Sequence, residues 1–106
     1  MDCIFCKIIK KESPDDIVYE DNKFVVFKDI KPIAPVHLLI APKEHIVSIN
    51  HLEEKHRELT ADLVFLAKKM AKEQKISDGY KLIFNIGRKG EQTIDHLHLH
   101  LMGGWK

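Results

Sequence analysis

Cysteine is almost missing: the chain has two, Cys3 and Cys6, three positions apart. A pair so close closes almost no loop, so a structural disulfide framework is excluded, and a redox pair or half of a metal site remains. A redox C-x-x-C pair ordinarily follows a strand, and no strand pattern precedes this one, so metal is the better reading. Charge of either sign is not in excess, since 17 Lys and Arg against 16 Asp and Glu leave a formal net charge of +1. With no basic run and no basic patch interleaved with aromatics, nothing points to a nucleic-acid partner, although a small anion could still be met locally. No apolar run approaches the roughly 20 residues that span a bilayer. Met1-Asp2-Cys3 carries an acidic residue where a secretory signal carries positive charge. The expectation is a cytoplasmic chain with no membrane partner. Internal repeats, low-complexity tracts and linkers are absent too, and 106 residues suffice for a single domain, 1–106, but not for two.

What the chain has in supply is histidine, seven in all. Three of them alternate with leucine in Gln92-Thr93-Ile94-Asp95-His96-Leu97-His98-Leu99-His100-Leu101-Met102-Gly103-Gly104. A period of two is that of a strand, so His96, His98 and His100 should face one way and Leu97, Leu99 and Leu101 the other. Side chains two apart lie roughly 7 Å from each other along a strand, so neighbouring imidazoles can address different atoms of one phosphate-sized group. Imidazole is also the side chain most readily poised for nucleophilic and acid–base work at neutral pH. The same H-x-H spacing suits a transition metal with an open position, and spacing alone leaves both readings open.

Around this run the remaining elements fall into place. Ile4, Phe5, Ile8 and Ile9 sit at helical spacing and Ser13-Pro14 ends that helix. Residues 17–20 and 23–28 read as strands joined by a turn at Asp21-Asn22, and 37–41 as a third strand closed by Pro42. Between them Asp29 to Pro35 is irregular, because its prolines remove donors and restrict the residues before them. Asp29, from position alone, is a turn-former. Residues 53–74 form the one long helix, with Leu59, Leu63, Leu66 and Met70 on a single face that is core or dimer interface. Its acidic start (Glu53, Glu54) and basic end (Lys68, Lys69, Lys72) suit the helix dipole. His51 and His56, at its polar start, read as solvated, and His37, where the third strand begins, has no obvious partner. Residues 80–86 give a fourth strand. Gly87-Arg88-Lys89-Gly90-Glu91 then reads equally as a loop that reaches a phosphate or as a hairpin loop with solvated charges.

The triad run, with Cys3-Ile4-Phe5-Cys6-Lys7-Ile8-Ile9, Asp29-Ile30-Lys31-Pro32 and Pro42-Lys43-Glu44-His45-Ile46, resembles the histidine triad family, whose signature is H-φ-H-φ-H-φ-φ with φ apolar. It is most similar to the Hint branch of nucleotide phosphoramidases and nucleotidyl hydrolases. The resemblance implies an α+β fold: an antiparallel sheet of about five strands, one long helix, a short N-terminal helix, and a sheet extended across a homodimer. It implies hydrolysis of nucleoside 5'-phosphoramidates and related nucleotidyl conjugates, with a purine nucleotide as substrate and His98 as the nucleophile that becomes nucleotidylated. His100 would bind a non-bridging phosphate oxygen, and Asp29 would accept from the ribose hydroxyls. Asn85 and Thr93 match positions that hydrogen-bond phosphate or leaving group, and Gln92 is a further candidate. Family members with C-x-x-C imply a structural zinc held by Cys3, Cys6, His45 and His96. Two positions depart from the pattern: Glu91 stands where glycine is usual, and Asp95 replaces a common tyrosine. A dinucleoside polyphosphate hydrolase, or a nucleotide- or metal-binding module with little turnover, are the alternatives.

Overall fold

The computed structural model describes residues 3–10 and 17–106; the helix stop read at Ser13-Pro14 lies outside them. Strand formation follows the β-branched and aromatic runs: β1 (Ile17–Glu20), β2 (Phe24–Lys28) and β3 (Val36–Pro42) form an antiparallel meander. The turn between β1 and β2 is tied by Asp21, whose carboxylate accepts from the amides of Lys23 and Phe24, both at 2.7 Å. β4 (Tyr80–Ile83) and β5 (Leu99–Gly103) complete one sheet in the order β1-β2-β3-β5-β4. The strand that carries the last triad histidine is therefore internal, between β3 and β4.

Both faces of this sheet are covered, and the alternation of residues decides which side goes where. Phe24 and Val26, Leu38 and Ile40, and Leu99 and Leu101 pack under α2 (Arg57–Glu73) against Leu63, Leu66, Ala67 and Met70. Val25 and Phe27, with Leu39 and Ala41, point to the opposite face, where α1 (Ile4–Ile9) lays Phe5 and Ile8 on them. The leucine stripe of the long helix is thus core. The histidine face of β5 is no bare polar surface, because α1 roofs part of it with apolar side chains.

The observed boundaries differ from the expected ones by more than one residue at three places. The long helix starts at Arg57, because residues 49–51 and 54–56 form two short 3-10 turns first. His56 causes the second turn: its Nδ1 accepts from the Glu53 amide at 2.9 Å and its Nε2 reaches the Glu44 carboxylate at 2.9 Å. That imidazole is buried, which corrects its reading as solvated; His51 is exposed. At its other end α2 stops where Lys75 turns left-handed (φ 61) and the Ile76 amide reaches back to the Ala71 carbonyl at 3.0 Å. The fourth strand ends at Ile83 rather than 86, where its pairing with β5 stops at Ile83 and His100. The triad stretch joins the ladder only from Leu99, since the Leu97 amide bonds outside the sheet to the Ile46 carbonyl at 2.6 Å. Among the described residues no helix is long and apolar enough to cross a membrane.

Candidate active site and metal centre

The triad splits between two environments. His96 is fully buried, and its Nε2 lies 2.8 Å from the Pro42 carbonyl oxygen. A carbonyl only accepts, so Nε2 carries the proton and Nδ1 is left with a lone pair. That lone pair faces Cys3 Sγ at 3.3 Å, Cys6 Sγ at 3.6 Å and His45 Nδ1 at 3.1 Å, while His45 Nδ1 also lies 3.3 Å from Cys6 Sγ. All four donor atoms lie within 4.8 Å of one another. Tetrahedral zinc with bonds of about 2.0–2.3 Å requires ligand–ligand edges of roughly 3.3–3.8 Å, so two sulfurs and two imidazole nitrogens at these spacings fit the ion. Burial pushes the Cys6 thiol above its ordinary value, and the neighbouring Cys3 adds to the effect; a bound divalent cation favours the thiolate instead. Cys3 N-caps α1, accepting from the Cys6 amide at 3.4 Å, so the helix itself presents both sulfurs to the cluster.

His98 and His100 face a cavity of about 520 Å³ on the α1 side of the sheet. The His98 Nδ1 donates to the His96 carbonyl oxygen at 2.7 Å, which leaves Nε2 unprotonated. Burial holds His98 below the ordinary imidazole value, opposed by that hydrogen bond and by the Asp29 charge. His100 is pushed down to about 4, first by burial and then by the neighbouring His98 and His37. Both are neutral at pH 7.

The tautomer of His100 is set from β3. The backbone amide of Ile33 donates to His37 Nδ1 at 3.2 Å, so the proton of His37 sits on Nε2. That nitrogen is 2.9 Å from His100 Nδ1 and 3.4 Å from Asp29 Oδ2. His100 Nδ1 therefore accepts, and its Nε2–H is a donor. The His98 and His100 rings, edge to face with centroids 5.1 Å apart, offer one lone pair and one N–H. A phosphoryl group needs just these two partners, a nucleophile for phosphorus and a donor for oxygen.

The family model described as "Scavenger mRNA decapping enzyme C-term binding" matches residues 2–104. A "14 kDa zinc-binding protein" of Zea mays is 46% identical over 103 residues, covering 95% of this chain and 80% of its own length. The "Purine nucleoside phosphoramidase" of Escherichia coli (strain K12) is 43% identical over 102 residues, covering 95% and 86%. The crystal structure of a HIT family hydrolase from Legionella pneumophila Philadelphia 1 superposes with a TM-score of 0.96 at 45% identity, covering 99% of this chain and 95% of that one. The chain belongs to the histidine triad family.

In this histidine triad protein Asp29, Asn85, Thr93, His98 and His100 all line the one cavity. Asp29 keeps its turn role as well, since Oδ1 accepts from the Lys31 amide at 2.8 Å. Asn85 is steadied by donating Nδ2 to the Gly90 carbonyl at 2.9 Å. Gln92 does not fit the substrate role expected of it. Its amide is buried beneath the loop, where Nε2 donates to the carbonyls of Val47 (2.7 Å) and Ile94 (3.0 Å) and Oε1 accepts from the Gly87 amide (3.0 Å). The cations of the loop divide likewise: Arg88 is held by Asp95 at 2.9 Å and by the Gln92 carbonyl at 2.7 Å, away from the cavity wall. Asp95 thus has a partner on the surface. His37 is the site residue that sequence reasoning left without a role; a histidine inside the apolar run Val36 to Ile40, two positions from cavity-lining Leu39, was the available signal.

Proposed function

We propose that this chain hydrolyses nucleoside 5'-phosphoramidates of the AMP–amine type, and related nucleotidyl conjugates, through a nucleotidyl-histidine intermediate on His98. The observation that carries the reading is the 2.7 Å hydrogen bond from His98 Nδ1 to the His96 carbonyl, which fixes Nε2 as a neutral nucleophile in the cavity. The name of the Escherichia coli relative supports the same substrate class. A purine base lies against the apolar wall of Ile4, Phe5, Ile8 and Phe27, the ribose hydroxyls donate to Asp29, and the phosphate sits over His98 and His100. The His98 Nε2 lone pair attacks phosphorus and the P–N bond breaks. Its electron pair goes to the amine nitrogen, which collects a proton from water on the exposed Thr93 side. Water then attacks phosphorus, the P–N bond to His98 breaks, and nucleoside monophosphate leaves with the neutral imidazole restored. His100 Nε2–H donates to a non-bridging oxygen in both steps, where a fixed donor stabilises developing charge.

Zinc is the structural metal of this reading, held by Cys3, Cys6, His45 and His96. Four protein ligands would leave the ion no open position, so its contribution would be structural. His96 would be oriented as one of its ligands, and the His96 carbonyl orients His98 through the hydrogen bond from Nδ1. The Zea mays relative is named for zinc binding, in keeping with the donor set. A homodimer and a cytoplasmic setting belong to the proposal too; the dimer is supported by β4 being an edge strand and by exposed Val64, Phe65 and Leu82. Dinucleoside polyphosphates are the second reading, favoured by Lys28 and Lys31 on the cavity wall. AMP release from adenosine 5'-phosphoramidate against release from diadenosine polyphosphate, at matched zinc content, tests the choice. Preferred cleavage of the phosphoramidate is expected, and nucleotide binding without release of AMP from either would favour a binding module.

A further inference from the structure

Glu91 occupies a backbone conformation that glycine adopts freely and a glutamate only at a cost, with φ 69 and ψ 26. Glu91 is exposed at the border of the cavity, and among the described residues its carboxylate has no hydrogen-bond or ion-pair partner. Arg88, three residues earlier, is already held by Asp95. A solvated carboxylate at the border of the cavity, with no cation to neutralise it, acts on the charge of whatever occupies that end of the site.

The sheet order says which part of a substrate meets it. Across the cavity floor the strands run β2, β3, β5, β4, and their cavity residues follow in that order: Phe27, then His37 and Leu39, then His100 and Met102, then Ile83. Asp29 directly follows β2 on one side, whereas Asn85, Glu91 and Thr93 all lie on the connection from β4 to β5 on the other. A nucleotide with its ribose at Asp29 and its phosphorus at His98 therefore directs its remaining phosphorus substituent toward Asn85, Thr93 and Glu91. On the phosphoramidase reading, on which this step rests, that substituent is the leaving amine.

We infer that Glu91 makes the leaving-group end of the site selective for amines that carry a second, cationic group, and disfavours leaving groups that carry negative charge. A diamine or another amine with a basic substituent brings its ammonium to the carboxylate; a carboxylated amine or a polyphosphate brings like charge to it. Glu91 acts on binding and orientation of the leaving group and takes no part in bond breaking. At a solvent-exposed position the attraction amounts to about three- to tenfold in kcat/KM for a single charge.

The test uses three AMP phosphoramidates of similar length, made from propylamine (neutral), 1,3-diaminopropane (cationic) and β-alanine (anionic). Their kcat/KM values are compared for the wild type, Glu91→Gln and Glu91→Gly, all zinc-loaded. The wild type is expected to prefer cationic over neutral over anionic, with a total spread of about tenfold or more that shrinks in about 0.5 M salt. In both variants the spread should fall toward one, and Glu91→Asp should restore part of it. Glu91→Gly relieves the left-handed backbone, so its melting temperature should match or exceed the wild type, which separates loss of selectivity from loss of fold. Cleavage of all three conjugates at equal efficiency, or a spread unchanged in Glu91→Gln, overturns the inference and leaves the phosphoramidase reading standing. Cleavage of none of them by the wild type overturns both.

Discussion

His37 Nε2 lies 2.9 Å from His100 Nδ1, and the Ile33 amide on the far side of His37 decides the direction of that hydrogen bond. A β3 residue thereby sets which nitrogen of a β5 residue carries the proton. His37→Phe should keep the ring volume and lose the orientation. The expected outcome is a kcat about ten- to a hundredfold lower with a much smaller change in KM, and a mixture of His100 tautomers by nitrogen-15 NMR. An unchanged kcat would remove His37 from the machinery.

Gln92 gives the opposite split. Its three hydrogen bonds tie the loop at Gly87 to the Val47 backbone, inside the protein. Gln92→Ala leaves those backbone groups unpaired and should cost about 2–3 kcal/mol in urea unfolding. The KM for nucleotide should change little in the folded fraction. A large KM effect at unchanged stability would place Gln92 in contact with substrate.

Protonation should weaken both fold and activity at low pH. The depressed values of His98 and His100 mean that the unfolded chain takes up protons, beginning near the ordinary value of about 6.5, before the folded one does. Stability is then complete above about pH 6.5 and falls as pH drops toward about 4, where His100 titrates. With the solvent that reaches half-buried His100 allowed for, its share is about 2 kcal/mol. The acid limb of kcat/KM should lie below pH 6.5 for the same reason, since the nucleophile must be neutral. An acid limb at or above pH 7 would contradict this placement of the imidazoles.

The Cys/His cluster and the cavity share one short helix. Phe5 stands between the two cysteines in sequence and packs edge-on against both His96 (5.8 Å) and His98 (4.9 Å), and it lines the cavity with Ile4 and Ile8. Removing zinc should release this wall, weakening AMP binding about tenfold and lowering the melting temperature. By linkage AMP should raise zinc affinity by the same factor. Competition with a chromophoric chelator, with and without AMP, measures it; equal zinc affinity in the two cases would uncouple the sites.

Much of this was legible in the residues because period and pattern are local. The alternation from His96 to Leu101 separates the Leu99 and Leu101 core from the His98 and His100 cavity as expected, and Leu63, Leu66 and Met70 announce the buried face of α2. The cluster of Cys3, Cys6, His45 and His96 was reached through resemblance, since nothing in spacing brings residue 45 to residue 96. What was missed depends on partners far apart in sequence. His56 meets Glu44 only after two 3-10 turns, and His37 meets His100 only across the β3–β5 ladder. Gln92 has the composition of a ligand-binding residue, and only the backbone around it turns that amide inward.

The central claim, a nucleotide carried covalently by His98, is tested most directly by rapid acid-free quenching of adenosine 5'-phosphoramidate turnover followed by intact-protein and peptide mass spectrometry. The account predicts a transient adduct of one adenylyl group on the peptide containing His98, absent in a folded, zinc-loaded His98→Ala variant that also releases no AMP. Full turnover by His98→Ala, or an adduct located on another residue, would contradict it.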